Sequence, residues 1–247
     1  ELVIFFIYFI IILVFYLIVP LSFQYYQPAL LRDLYSCFIW TFAQANAPLQ
    51  LSYEDFSIRM LEKLGLDGGI SGVMFEDKAL IGFVLQSRAY FQGLDTVYNG
   101  GTGVIAMYRG KGIIQKIYKN LSKRGEAFKW YSTKQLARIF IQEKKTKDAI
   151  KLTSSVYKDL INKEVYETFD FAEFLKNNEK FKKAIPYYTQ VLINIKRDHP
   201  LYPEATDGRG IAYERIGKWG QAEKDLLASL SADPNQAYVI NYLAYSW

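Results

Sequence analysis

Residues 210–234 read GIAYERIGKWGQAEKDLLASLSADP and indicate two helices joined by a tight turn. Small residues stand twelve positions apart, at Gly210 and Ala222, which lets two antiparallel helices approach closely. Larger apolar residues follow around them at helical spacing. Pro234 lies twelve positions after Ala222, where the second helix must end because proline cannot continue it.

The same spacing occurs twice more upstream. The small residues of the second helices, Ala149, Ala184 and Ala222, stand 35 and 38 positions apart. Small residues recur twelve positions before each of them, at Ala137, Ala172 and Gly210, and larger apolar residues nine positions before, at Phe140, Leu175 and Tyr213. Four positions after stand Thr153, Tyr188 and Leu226, and the first repeat is the weakest match because Thr153 replaces a large side chain. A period of this length indicates an array of helical repeats.

This pattern resembles the tetratricopeptide repeat (TPR), a pair of antiparallel helices of roughly 34 residues. The resemblance implies about three and a half repeats over residues 130–247, with AYVINYLAYSW at 237–247 as the half repeat. A half repeat leaves an apolar face uncovered, so we expect that the natural protein continues or that a second chain covers this face. TPR arrays bind proteins or peptides, and a partner of that kind is what the resemblance implies.

Basic side chains on the first helix of each repeat are candidates for clamping an acidic or C-terminal peptide. Arg209 and Arg215 lie on the first helix of the third repeat, and we select them as peptide-binding residues. Arg138 and Lys176 occupy the first helices of the other two repeats.

Charge is divided unevenly along the chain. Residues 1–108 carry 5 Lys or Arg against 9 Asp or Glu, whereas residues 109–247 carry 25 against 16. This division indicates two modules with different partners, although a solvated lysine-rich helical surface also explains it. No nucleic acid partner is expected. Cys37 is the single cysteine and His199 the single histidine of the chain. A zinc site with four Cys or His ligands is therefore excluded, and no metal is expected.

Residues 2–19 read LVIFFIYFIIILVFYLIV and carry no charge. A helix of this length nearly crosses the hydrocarbon core of a bilayer, so residues 1–20 predict a transmembrane helix. A secretory signal and an apolar extension that packs on a partner are the alternatives. The basic excess further along favours a membrane-associated protein whose soluble part is cytoplasmic.

Residues 24–121 combine helical and strand patterns. Ser52 is a candidate helix N-cap and Gly65 a candidate helix stop. The predicted order is helix, helix, β-hairpin, strand and helix, over residues 28–46, 52–65, 71–90, 102–107 and 113–121.

A glycine-containing turn, YRGKG at 108–112, joins the last strand to the last helix. Backbone amides at a helix N-terminus bind phosphate, and glycine lets a ligand approach closely. Arg109 to Ile114 resembles the [Q/R]-x-x-G-x-[G/A] motif of GCN5-related N-acetyltransferases (GNAT), although Ile114 departs from the last position. The resemblance implies acetyl-CoA bound by Val104, Ala106, Arg109, Gly110, Lys111, Gly112, Ile113 and Ile114, with Tyr98 and Asn99 on the acceptor side.

The second half of the acetyltransferase fold is missing, because the chain passes from Leu121 directly into the repeats. No catalytic residue is assigned. The expected class is therefore α+β: a hydrophobic helix, a partial GNAT-like module and an all-α TPR solenoid. Two functions follow: a membrane-tethered acetyl-CoA-dependent N-acetyltransferase with a TPR interaction array, or a non-catalytic TPR scaffold that carries an acetyltransferase remnant. The chain is alternatively a fragment or a composite.

Overall fold

The computed structural model describes residues 20–43, 50–91 and 94–244. The chain divides into two compact units, Glu1–Gln135 and Leu136–Trp247. The predicted α+β class is confirmed, with an antiparallel sheet and helices in the first unit and helices alone in the described part of the second. The transmembrane prediction for residues 2–19 lies outside the described residues. Within the described ranges, no helix combines the length and apolar character that a bilayer span requires.

Four antiparallel strands form the sheet in sequence order. They are β1 (Leu21–Tyr25), β2 (Gly72–Glu76), β3 (Ala79–Phe91) and β4 (Leu94–Val104). The predicted hairpin is confirmed as β2 and β3, which are joined through Asp77 in a left-handed conformation with φ of +53°.

The predicted strand 102–107 is wrong at both ends. Strand β4 begins at Leu94, because the stretch that contains Thr96, Val97 and Tyr98 pairs along β3 in spite of its glycines. It ends at Val104, and Ala106–Tyr108 form a 3₁₀ turn in which the Tyr108 amide donates to the Ile105 carbonyl at 2.9 Å. This turn leads the chain toward the glycines and the next helix.

Among the described residues, three helices lie wholly within the first unit: α1 (Leu31–Phe42), α2 (Tyr53–Ser57, continued as a π-helix over Ile58–Lys63) and α3 (Ile113–Leu121). The Ser52 cap is confirmed, since its Oγ accepts from the Asp55 amide at 3.0 Å, and Gly65 is left-handed with φ of +60°. The helix predicted over 28–46 starts as a 3₁₀ turn and ends at Phe42. Residues 44–46 lie outside the described ranges.

The two faces of the sheet pack against different helices. Leu34 of α1 and Phe56 of α2 join Val73 and Phe83 in a buried cluster on one face. Because neighbouring residues of a strand point to opposite faces, Gly72 and Gly82 face the other side, where α3 packs through Ile117 and Ile113. The sheet therefore places the N-terminus of α3 beside the end of β4.

Seven helices follow within residues 126–244. They are α4 (Glu126–Gln142), α5 (Thr146–Asp159), α6 (Val165–Asn177), α7 (Phe181–Asn194), α8 (Leu201–Arg215), α9 (Trp219–Ala232) and α10 (Ala237–Ala244). The boundary between the two units falls inside α4. This succession confirms the predicted array of helices after the sheet.

The turn inside each helix pair has one repeated geometry. Lys144, Glu179 and Gly217 each adopt a left-handed conformation, with φ of 61°, 60° and 77°, at the end of α4, α6 and α8. The next residue donates its amide to the carbonyl five positions before it, at 2.7, 2.8 and 2.9 Å in the three turns. This bond is the helix-ending hydrogen bond of a Schellman motif. Its recurrence at the sequence period is direct structural evidence for repeats.

The small residues of the period lie where helices cross. Ala149, Ala184 and Ala222 are fully buried. A Cβ added to Gly210 of α8 would stand 3.0 Å from Leu226 and 3.2 Å from the Ala222 carbonyl of α9. The sequence period therefore specifies close contacts between helices, as expected for residues that determine the stack.

Candidate functional site

An open groove of about 780 Å³ lies on the array between α5 and α7, with α6 behind it. Its lining consists of Ser154, Tyr157, Lys158, Lys163, Phe171, Leu175, Lys182, Lys183, Pro186, Tyr187 and Gln190. Eight of these residues belong to α5 and α7, the second helices of the first two repeats. We call it the α5–α7 groove.

Three aromatic rings form the floor of the groove. The Tyr157 and Phe171 rings stack with centroids 4.3 Å apart, and Tyr187 meets both edge-on, at 5.4 and 4.8 Å. The Tyr157 hydroxyl donates to Thr168 Oγ1 at 2.9 Å, and burial raises the pKa of this hydroxyl. Tyr157 and Phe171 are buried, whereas Tyr187 is half-buried and offers the reachable part of the floor.

Four lysines surround this floor. The Lys163 ammonium donates to the Leu160 carbonyl at 2.6 Å and lies 5.8 Å from the centre of the Tyr157 ring. Lys158, Lys182 and Lys183 are exposed, and no described carboxylate pairs with them. Among the described residues, none of the side chains that line the groove is acidic. The rim is therefore uniformly cationic.

Two features open the groove. Helix α5 contacts α6 far less extensively than α7 contacts α8, so the step from the first repeat to the second is wider. Pro186 lies inside α7 and carries no amide hydrogen, so the Lys182 carbonyl, four positions earlier, lacks its helical donor. The exposed Pro186 ring thus lies at the groove beside Tyr187.

The sequence predicts that Arg209 and Arg215 bind a peptide. The Arg209 Nε and Nη2 atoms donate to both carboxylate oxygens of Asp225 at 2.7 and 2.8 Å, and its Nη1 donates to Thr189 Oγ1 at 3.1 Å. All three nitrogens of the guanidinium are thus engaged within the array. Arg215 is more exposed, with Glu214 at 3.5 Å. Both assignments stay predictions.

A buried polar cluster joins α6, α7 and α8. Glu173 accepts hydrogen bonds from the Tyr188 hydroxyl and, at 2.7 Å, from the Lys176 ammonium. Asp207 is buried beside them, and its Oδ1 atom has no hydrogen-bond partner. Burial raises the pKa of Asp207 to about 7, the nearby Lys176 lowers it, and Glu173 and Glu204 raise it further. Lys176, which is also a cation on a first helix, donates its hydrogen bond within this cluster.

The glycine turn before α3 is a second candidate site. Gly110 and Gly112 are left-handed, with φ of 75° and 70°, and Gly112 caps α3 without a side-chain hydrogen bond. Nothing lies within 4 Å of a Cβ added to Gly110. Lys111 is exposed beside the Tyr108 ring, Ile113 is buried against the sheet and Ile114 is half-buried. The turn therefore has the open backbone that an anion requires.

The neighbouring residues match acetyl-CoA less well. The Arg109 guanidinium donates to the Thr41 carbonyl at 2.7 Å and to the Val104 carbonyl at 3.3 Å. Val104 ends β4, and the Ala106 carbonyl accepts from the Arg109 amide inside the 3₁₀ turn. The extended strand expected to bind pantetheine at Ala106 is thus absent from this described part of the chain. The 3₁₀ turn at Ala106–Tyr108 thus differs from the extended strand that the resemblance implies. The assignment of acetyl-CoA to these residues stays a prediction.

Sequence reasoning missed the α5–α7 groove because it considered cations on first helices. One signal for the groove was available. Lys182, Lys183 and Pro186 stand within five positions of one another on a second helix, and a proline inside a helical pattern marks a local interruption.

The comparisons with known proteins concern the helical array. No protein-family model matches the chain. No curated protein matches it either. Among solved structures, the chain is similar over its C-terminal half to YrrB, described as a TPR protein with an unusual peptide-binding site (14% identity, 54% of this chain and 69% of that chain, TM-score 0.40). It is also similar to MamA from Desulfovibrio magneticus RS-1 (14% identity, 56% and 77%, TM-score 0.42).

Proposed function

We propose that this protein is an interaction protein whose helical array binds a segment of another polypeptide. The α5–α7 groove is the observation that carries the proposal. The small residues of the repeats are buried in contacts between helices, whereas this groove leaves Tyr187 half-buried and Pro186 exposed beside its lysines. Ligand sites in proteins are concave and mostly apolar, with a few polar groups that fix orientation.

A peptide selection tests this function. The full chain, held in mild detergent, is immobilised and panned against a random peptide library displayed on phage. We expect enrichment of peptides with a shared pattern, and a synthetic copy of an enriched peptide should bind the full chain at micromolar concentration. Failure to enrich any peptide above an immobilised control protein would contradict the proposal.

A second candidate, acetyl-CoA-dependent transfer, is favoured by one observation only, the left-handed glycines at the N-terminus of α3. Calorimetric titration of the full chain with acetyl-CoA tests it, and absence of heat at millimolar cofactor would eliminate it. A non-catalytic scaffold agrees better with the incomplete fit at Ala106 and Arg109. Attachment to a membrane through residues 2–19, with the remainder in the cytoplasm, stays a prediction.

A further inference from the structure

We infer that the α5–α7 groove takes an acidic peptide segment that inserts one aromatic or branched aliphatic side chain against Tyr187. The inference rests on the proposed function and adds the chemistry of the ligand and the place where it binds. It places the ligand on the second helices of the repeats, whereas the sequence predicts binding by the first helices.

The charge of the rim selects an anionic partner. Lys158, Lys182 and Lys183 are exposed and have no carboxylate partner among the described residues, and Lys163 adds a fourth ammonium. Like charges that share one rim repel one another, and a ligand carboxylate relieves that repulsion. Complementary charge at a rim mainly increases the association rate and the discrimination between partners.

The floor selects an apolar anchor from a peptide over a nucleic acid base. Bases bind single-stranded nucleic acid sites by stacking on the faces of aromatic rings. Here Tyr157 and Phe171 cover each other's faces, with planes 14° apart, and Tyr187 meets them at 85° and 72°. The half-buried edge of Tyr187 and the exposed Pro186 ring remain, and these suit an inserted Phe, Leu or Ile.

Pro186 adds an exposed apolar ring at the groove. The groove therefore combines an apolar floor with a cationic rim.

Fluorescence anisotropy with defined peptides tests the inference on the full chain. The probe is a short labelled peptide in which a Leu-Phe pair is flanked on both sides by aspartates. Two further probes replace the aspartates by lysines or the Leu-Phe pair by serines. We expect the acidic apolar probe to bind at least about tenfold more tightly than either of the others, and more weakly as salt is raised.

Two matched variant pairs locate the binding. The charge pair compares Lys182→Glu/Lys183→Glu with Lys147→Glu/Lys151→Glu, whose lysines are exposed on α5 outside the groove. Glutamate in the first turn of α7 suits the helix dipole, so the groove variant should remain folded. The blocking pair compares Ser154→Tyr, which fills the groove, with Ser155→Tyr on the exposed side of α5.

Each outcome decides the inference. The inference is supported if the two groove variants bind the probe at least about tenfold more weakly, while their controls change little and thermal melting is unchanged. Three results would overturn the inference. They are equal losses of affinity in the groove and control variants, tighter binding of a single-stranded oligonucleotide than of the acidic probe, and no binding of the acidic probe. If peptides from the phage selection still bind in the last case, the interaction function holds at another surface. If they do not, both proposals fail.

Discussion

Arg209 and Asp225 form a bidentate ion pair between α8 and α9. The Nε and Nη2 atoms of Arg209 stand 2.7 and 2.8 Å from the two carboxylate oxygens, and the carboxylate is only 8% exposed. Such pairs have a fixed geometry and are among the stronger charged hydrogen bonds. The contact indicates that Arg209 stabilises the third repeat.

Removing one member of this pair should destabilise the array. Asp225→Asn leaves the guanidinium partly buried without its counter-charge, and we expect a loss of about 2 kcal/mol in the free energy of unfolding. Urea denaturation monitored by circular dichroism measures the change. The double variant Arg209→Met/Asp225→Leu should lose less, because it leaves no charge unpaired. A double variant less stable than the single one would disprove this explanation.

Asp207 should make the stability of the array depend on pH. Its pKa is raised to about 7, while that of an unfolded aspartate is about 3.9. Between these values the folded protein holds a proton that the unfolded chain has released, so stability falls as pH rises from about 4 to about 7. Above the folded pKa this dependence levels off.

Asp207→Asn removes the titration and keeps the shape of the side chain. We expect the variant to be more stable than the wild type at pH 8 by up to about 4 kcal/mol, and nearly equal to it at pH 4. Denaturation at several pH values with both proteins measures the difference. A constant difference across that range would mean that Asp207 does not titrate as described.

Gly208 allows α8 to approach α7. A Cβ at this position would lie 2.6 Å from the Tyr188 ring, so Gly208→Ala must displace a fully buried side chain. We expect a loss of about 1 to 3 kcal/mol, as for other overpacked cores. Gly220→Ala in α9 is the control, because nothing lies within 4 Å of its Cβ and alanine is the better helix former by up to about 1 kcal/mol. Thermal melting should show opposite shifts for the two variants.

The left-handed position of the turn inside a helix pair is a glutamate in the second repeat and a glycine in the third. Glu179 adopts the left-handed conformation that Gly217 adopts in the next repeat. Left-handed backbone costs a non-glycine residue about 1 kcal/mol, so Glu179→Gly should stabilise the protein by a similar or smaller amount. Gly217→Ala should destabilise it correspondingly. Equal effects of the same sign in urea titrations would contradict the assignment of these turns.

The helical half of the fold could be predicted from sequence because its information is local and periodic. Small residues such as Ala184 and Ala222 recur at one spacing, and each mediates a contact inside one helix pair. Sheet pairing is less local. Strand β1 is five residues long and pairs with β2 some fifty positions away, and β4 includes Gly100 and Gly101, which favour a loop when considered alone. Tertiary pairing overrides those preferences.

The candidate sites could likewise be predicted only where the information in the sequence is local. Gly110 and Gly112 were recognised as a turn before a helix, because left-handed glycines leave a signature in the sequence. The hydrogen bond from Arg109 to Thr41 was not predictable, since the two residues stand 68 positions apart along the chain. The α5–α7 groove combines residues of three helices, and its opening depends on the distance between two repeats.

Hydrogen exchange of the full chain, with and without a peptide from the phage selection, tests the central claim most directly. Amide exchange locates the segments whose opening a bound ligand suppresses. The account predicts added protection within residues 146–194, which contain α5, α6 and α7, and no change in the sheet at residues 72–104. Protection confined to the sheet or to the glycine turn, with the array unchanged, would contradict the claim that the helical array binds the polypeptide.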